Sequence, residues 1–226
     1  MMRILLVIGM IAGATQTFAA PMKDKNFDGV KMALQLPLEN RIRALKLQGP
    51  AYFKRLQEIA KSESETMEVR WRAITAMGRM QPVAAQPILD EFLQSEKWFL
   101  RNASAVVLHY GDRTWAVNWA KKLLKDKALV VRTGAVEALK KMNAIEAEQD
   151  LWAALYSEDN FKGGKSLWIR KHIAETLSSF AHPGQQRAFI KILRDEDRRL
   201  HPFALKALTK LSKNDFTRDQ WLSTVQ

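Results

Sequence analysis

The chain has 226 residues, 47% of them hydrophobic, enough to bury a core of domain size. It holds no cysteine, which excludes disulfides, thiolate metal sites, cysteine nucleophiles and a lipid anchor built on an N-terminal cysteine. Its 36 Lys and Arg outnumber 24 Asp and Glu, and the resulting charge of +12 favours acidic partners such as anionic lipid, nucleic acid or acidic protein surfaces.

Residues 1–19 read as a signal peptide. Arg3 supplies the positive start, and Ile4 to Ala14 form an apolar run too short to span a bilayer. Thr17 and Ala19 stand three residues and one residue before a cut placed after Ala19. Cleavage removes Arg3 alone among the charged residues and leaves a mature chain of +11. No later segment reaches about 18 consecutive apolar residues, so the mature chain is expected to be periplasmic or secreted and not transmembrane. Absence of thiols suits an oxidising compartment, and export disfavours nucleic acid as a partner.

Residues 20–49 read as an N-terminal extension with a capping helix over 39–48, and residues 50–226 as the repeat domain. The first helix of the first repeat covers 51–61. From there an arginine recurs at Arg70, Arg101, Arg132 and Arg170, with His201 in a fifth copy, at steps of 31, 31, 38 and 31 residues. Apolar or small residues stand one before each Arg and three, four and seven after it, as in Val131, Ala135, Val136 and Leu139. That is helical spacing, not the alternation of a strand. Upstream of each lies a second amphipathic stretch ending in Leu93, Leu124, Leu155 or Leu193. The seven extra residues of the long step fall in Asn160 to Ser166, a Gly-rich tract that reads as a loop. Two helices of about 12 residues in a repeat of about 30 describe an all-α, armadillo-like solenoid of about five repeats, closed by a helix at 216–224 and without strands.

The second helices resemble the HEAT-like repeat, specifically the short bacterial kind found in phycobilin lyases. The family pattern places an Asp in the turn, then Val-Arg opening the helix, then Ala and Ala-Leu at helical spacing. Leu123 to Leu139 match it closely, with Asp126, Val131, Arg132, Ala135, Ala138 and Leu139 in place, and Ile192 to Asp197 repeat its turn. The resemblance spans roughly residues 50 to 212. It implies a structural ladder in which an Asp and an Arg six apart bond the turn to the neighbouring repeat, with Asp126 and Arg132 one such pair. Arg70, Arg101 and Arg170 keep only the Arg, because Ser64, Ser95 and Gly164 occupy their Asp positions, so the ladder is expected to be partial.

No catalytic constellation or metal site emerges. His109, His172, His182 and His201 form no i, i+4 pair, and none is followed by the glutamate that HEAT-type hydroxylases carry. Trp115 and Trp119 lie one turn apart, as the base-stacking aromatics of HEAT-like DNA glycosylases would, but core packing between repeats is the plainer role. Asp112 reads as a helix cap, and Gly163-Gly164-Lys165-Ser166 lacks the first Gly and the preceding strand of a phosphate loop. No cofactor is implied.

In α-solenoids the second helices line a concave surface that partners occupy. Positions one, five and eight after the Arg column give an exposed stripe here: Trp71, Thr75 and Gly78; Asn102, Val106 and His109; Thr133, Glu137 and Lys140; Lys171, Glu175 and Ser178. Mixed in charge, it suits protein or peptide better than nucleic acid. The excess positive charge falls on the N-terminal segment, including Lys31, Arg41 and Arg43, and on first helices, positions expected at convex surfaces or edges. The expected function is therefore an envelope scaffold holding a protein or peptide, not an enzyme. The alternative is binding of anionic lipid or cell-envelope polymer through the basic side, with a HEAT-like lyase or glycosylase behind both.

Overall fold

The computed structural model describes residues 28–224, so the signal-peptide reading over 1–19 lies outside the described residues. Five helix pairs follow one another: α3 (Tyr52–Lys61) with α4 (Met67–Met80), α5 (Pro82–Leu93) with α6 (Trp98–Ala105), α7 (Arg113–Leu123) with α8 (Leu129–Lys141), α9 (Glu148–Leu155) with α10 (Ile169–Phe180), and α11 (Gln186–Leu193) with α12 (His201–Ser212). Two helices precede them, α1 (Gly29–Gln35) and α2 (Leu38–Lys46), and α13 (Arg218–Ser223) closes the stack. The fold is the all-α solenoid that the repeat predicts. Among the described residues no helix is long and apolar enough to cross a membrane.

Local chemistry sets where the helices start. Thr66 accepts from the Val69 N–H at the head of α4, and Asp112, read as a cap from sequence, accepts from Trp115 N–H at the head of α7. Thr217 and Gln220 form a reciprocal capping box on α13. Helix α1 was not foreseen. Val30, Ala33 and Leu34 are its buried face, a one-turn pattern that ends where Pro37 forces Leu36 into extended backbone.

The second helices form a continuous row in which α4 touches α6, α6 touches α8, α8 touches α10 and α10 touches α12. Small residues permit this closeness. A Cβ on Gly78 would sit 2.4 Å from Val107 Cγ2, and one on Gly134 would sit 3.3 Å from Ala105 Cβ. Helix α6 ends at Ala105 and passes into a 3-10 turn over Leu108–Tyr110, so His109 leaves the helical register expected of it.

Two hydrophobic cores result. One runs from Val30 to Val107 and the other from Leu93 to Trp221, and Trp115 packs against both. The loop in the long repeat contains a small hairpin, which corrects the expectation of no strands: β1 (Phe161–Lys162) pairs antiparallel with β2 (Lys165–Ser166). Gly163 and Gly164 take φ of 55° and 73°, the two positive values that a tight two-residue hairpin turn demands.

The contact at Gly78 yields a test of the stacking. Gly78→Ala should destabilise by about 1–3 kcal/mol through overpacking, read by chemical denaturation. The penalty should shrink in a Val107→Ala background, where the clashing methyls are gone. Equal penalties in both backgrounds would show that Val107 is not what limits the approach.

Candidate functional site

The arginine column is buried, and its guanidinium groups face the turn of the next repeat. Arg101 donates from Nε and Nη2 to the two Asp126 oxygens at 2.6 and 2.8 Å, and from Nη1 to the carbonyls of Ser95 and Glu96. Arg170 does the same one insertion later, reaching Asp195 at 2.6 Å from Nη2 and 3.3 Å from Nη1 while Nε donates to Leu155 O. Arg132 donates to Asn160 Oδ1, to the Asp159 carbonyl, and to the Asp126 and Lys127 carbonyls of its own turn.

The carboxylates thus bond turns to neighbouring repeats, as the resemblance implies, but Asp126 pairs with Arg101 of the preceding repeat and not with Arg132 six residues on, which corrects that pairing. Six residues place Asp126 at the turn leading into its own Arg, where its backbone is within reach, but its side chain points back to the preceding helix. Asp126 also accepts from Ala128 N–H, and these bonds hold its carboxyl below the usual carboxylate range against the opposing effect of burial. In the long repeat the sequence position of the Asp falls on Gly164, yet Asn160 fills the role: fully buried, it accepts from Arg132 and donates to Ala154 O at 2.7 Å.

The same second helices frame a groove. One cavity of about 280 Å3 is lined by Trp71, Thr75, Val106 and His109 together with Arg41, Arg79, Tyr110 and Lys141. A second, of about 270 Å3, is lined by Asn102, Val106, Thr133 and Glu137 together with Val130, Lys141 and Trp168. Val106 and Lys141 belong to both, so the two cavities adjoin. Trp71 Nε1 donates to Asn102 Oδ1 at 3.0 Å, and Asn102 Nδ2 donates to Val130 O at 2.9 Å, a relay across three repeats. Val130 and Trp168 stand 41% and 42% exposed beside it.

The expected stripe is therefore brought together, with exceptions. Thr75 and Thr133 are buried, as are Gly78 and Ser178, because neighbouring second helices approach too closely to leave that register open. The Thr75 and Thr133 hydroxyls are turned inward to Trp71 O and Leu129 O. Further along, the stripe residues pair with one another: Glu137 meets His172 at 2.7 Å and Lys140 meets Glu175 at 2.7 Å, while Lys171 stays exposed. Lys140 holds the Glu175 carboxyl below its ordinary value.

The other end differs. Arg41, expected at an edge or convex surface, is buried in the groove wall and donates to Leu36 O. Arg79 donates to Tyr110 Oη at 2.8 Å and reaches Glu39 only at 3.5 Å, a carboxylate 83% exposed. Arg41, Arg79 and Lys141 thus share one cavity whose lining includes no carboxylate. None was flagged from sequence, since Arg79 and Lys141 fall one position beyond the last stripe register and Arg41 lies outside the repeats.

Residues 69–95 match the PBS lyase HEAT-like repeat family. That stretch carries a HEAT-like repeat. None of the curated proteins compared matches it in sequence. The crystal structure of an engineered protein is similar at a TM-score of 0.53 and 18% identity, covering 83% of this chain and 98% of that one, and it shows the fold alone. The complex of CpcE and CpcF of phycocyanin lyase from Nostoc sp. PCC7120 superposes at 0.46 with 15% identity, over 92% of this chain and 98% of that one, too distant to carry an argument.

Within the helical repeats the remaining candidates have structural partners. Trp115 and Trp119 both donate from Nε1 to Asp90 Oδ1, at 2.8 and 2.7 Å, so one carboxylate on α5 clamps two indoles of α7. Among the described residues no three His, Asp or Glu gather as a metal site.

His109 stands apart. Its Nδ1 is buried without a hydrogen-bond partner, and burial, then Lys141 and Arg79, push its pKa down to about 4. The unfolded chain therefore takes up this proton first, and stability contributed by the neutral ring is lost as pH falls from about 6.5 towards 4. Thermal melts of wild type and His109→Leu across that window should show a flatter slope in the variant. Parallel slopes would mean that His109 titrates normally.

Proposed function

We propose that this HEAT-like repeat protein is an exported scaffold that holds an acidic, apolar-flanked segment of a protein or peptide along its second helices. The observation that carries the reading is the cavity shared by Arg41, Arg79 and Lys141, floored by Trp71 and Val106 and without a carboxylate in its lining. Arg41 is buried and Arg79 half-buried, Lys141 stands exposed beside them, and the carboxylate nearest Arg79, Glu39, is 83% exposed, so an anionic group brought by a partner would pair with charge that is partly desolvated. The aromatic and aliphatic walls would select for apolar neighbours of that acid, as Trp71, Tyr110, Val130 and Trp168 present rigid surface at small entropic cost. Export rests on the sequence of residues 1–19.

The rival reading, a polyanion surface on the first helices, draws on Lys54, Lys125, Arg187 and Arg194, which make no ion pair among the described residues. Salt separates the two. A groove that buries its charge pair together with apolar contacts loses little affinity on going to high salt, whereas a surface field is screened over about 8–10 Å.

Selection of peptides from a random library on the purified mature chain tests this directly. Sequences pairing Asp or Glu with aromatic or aliphatic residues should be enriched. Their binding should fall at least about tenfold, roughly 1.4 kcal/mol, in Lys141→Glu and in Trp71→Ala. Binders indifferent to both substitutions, or retention only of anionic vesicles released by salt, would sink the groove. Mass spectrometry of the exported protein should find Ala20 as its first residue, and an intact N-terminus would overturn export by cleavage.

A further inference from the structure

Along the column, one arginine lacks a side-chain partner from the next repeat. Arg70 is 6% exposed, and Nε donates to Ala60 O at 2.9 Å, much as Arg170 Nε donates to Leu155 O. Arg101 and Arg170 then turn to the carboxylates of Asp126 and Asp195, and Arg132 to the Asn160 amide. Nη1 and Nη2 of Arg70 have no hydrogen-bond partner among the described residues.

The reason lies in the next turn. Ser95 stands six before Arg101, as Asp126 stands six before Arg132 and Asp195 six before His201. Ser95 performs the local half of the role: its Oγ accepts from Lys97 N–H at 3.2 Å, as Asp126 accepts from Ala128 N–H and Asp195 from Asp197 N–H. A serine has no carboxylate to extend across the repeat boundary. In its place is a cavity of about 350 Å3, lined by Arg70, Ser95, Lys61, Lys97, Glu63 and Glu91 among others. The two glutamates are engaged by the lysines, Lys61 with Glu91 at 2.6 Å and Lys97 with Glu63 at 2.5 Å. Phe99 lies under the guanidinium, its centroid 5.3 Å from the Arg70 Cζ.

We propose that this gap in the ladder is a carboxylate-binding site, in which an incoming carboxylate takes the position that Asp126 and Asp195 hold elsewhere. The free Nη1 and Nη2 edge offers two parallel donors, the geometry that a planar carboxylate accepts in bidentate fashion. Phe99 packs against the guanidinium, and because Lys61 and Lys97 are paired with Glu91 and Glu63, Arg70 is the lining's uncompensated charge. The carboxylate comes from a free small acid or from an acidic side chain of a partner. This site is built by the turns between repeats and does not depend on the reading of the groove.

The test uses the mature chain and Ser95→Asp, which supplies the missing acid from within. Thermal midpoints are measured in sodium acetate and in sodium chloride at equal ionic strength, and again with N-acetyl-aspartate amide. Acetate should raise the wild-type midpoint beyond the chloride control. Ser95→Asp should melt about 2–4 °C higher than wild type without acetate and lose the acetate response. A stronger response to the aspartyl amide than to acetate assigns the site to a partner's side chain, and an equal response assigns it to a free acid. An acetate effect of the same size in both proteins, no acetate effect in wild type, or a Ser95→Asp midpoint no higher than wild type would overturn the proposal by showing that Glu63 or Glu91 already serves Arg70.

Discussion

A guanidinium taken out of water must recover acceptors for its five N–H groups, and where it finds them decides how this chain stacks. Arg101, Arg132 and Arg170 find them in two places at once, in turn carbonyls and in a side chain of the following repeat. Each arginine is therefore a pin through two repeats, and breaking such a buried pair by removing one partner typically costs about 3–5 kcal/mol. Hydrophobic burial holds the layers together without fixing their register. The directional bonds of the pins fix it, and with it the alignment of every second helix. Surface pairs such as Lys61 with Glu91 and Lys127 with Glu96 follow the same one-repeat offset, but as exposed pairs they contribute little.

The groove is a consequence of that alignment. Once the pins set the spacing, Gly78 and Gly134 let the second helices close to backbone distance, and any side chain in the contact register is swallowed. Thr75 and Thr133 are buried in this way with their hydroxyls turned to their own helices, while Arg79 and Lys141, one position beyond the last stripe register, bring charge to the cavity wall. The polarity of the groove is therefore set at the edge of the packing, not at its centre.

This geometry explains what the sequence could and could not disclose. The Arg column, the two-helix unit, the insertion and the Asp112 cap are local or periodic, and spacing alone exposes them. The partner of each pin lies 25 or more residues away, so a six-residue motif suggests the wrong side-chain pairing for Asp126 although it marks the right residues. Asn160 escaped notice because the hairpin insertion moves the Asp position off register. Arg41 escaped because it lies outside the repeats and enters the groove only when α2 packs. Helix α1 offers three apolar positions before Pro37, too short a run to separate helix from loop without its neighbours.

The two hydrophobic cores divide the labour along these lines. In the one that extends to Trp221, the pins are all filled and the stripe groups pair off, Glu137 with His172 and Lys140 with Glu175. In the one that runs to Val107, Arg70 is left without its acid, and Arg41 and Arg79 stand in the groove with only exposed carboxylates nearby, Glu39 beside Arg79 and Glu68 acting on Arg41. Uncompensated positive charge at half-buried sites is a cost to folding that a well-filled repeat avoids. Its concentration in the N-terminal repeats, on two different surfaces, is what an anionic partner would relieve, and the completed pins of the C-terminal repeats supply the rigid base against which that end can remain unsatisfied.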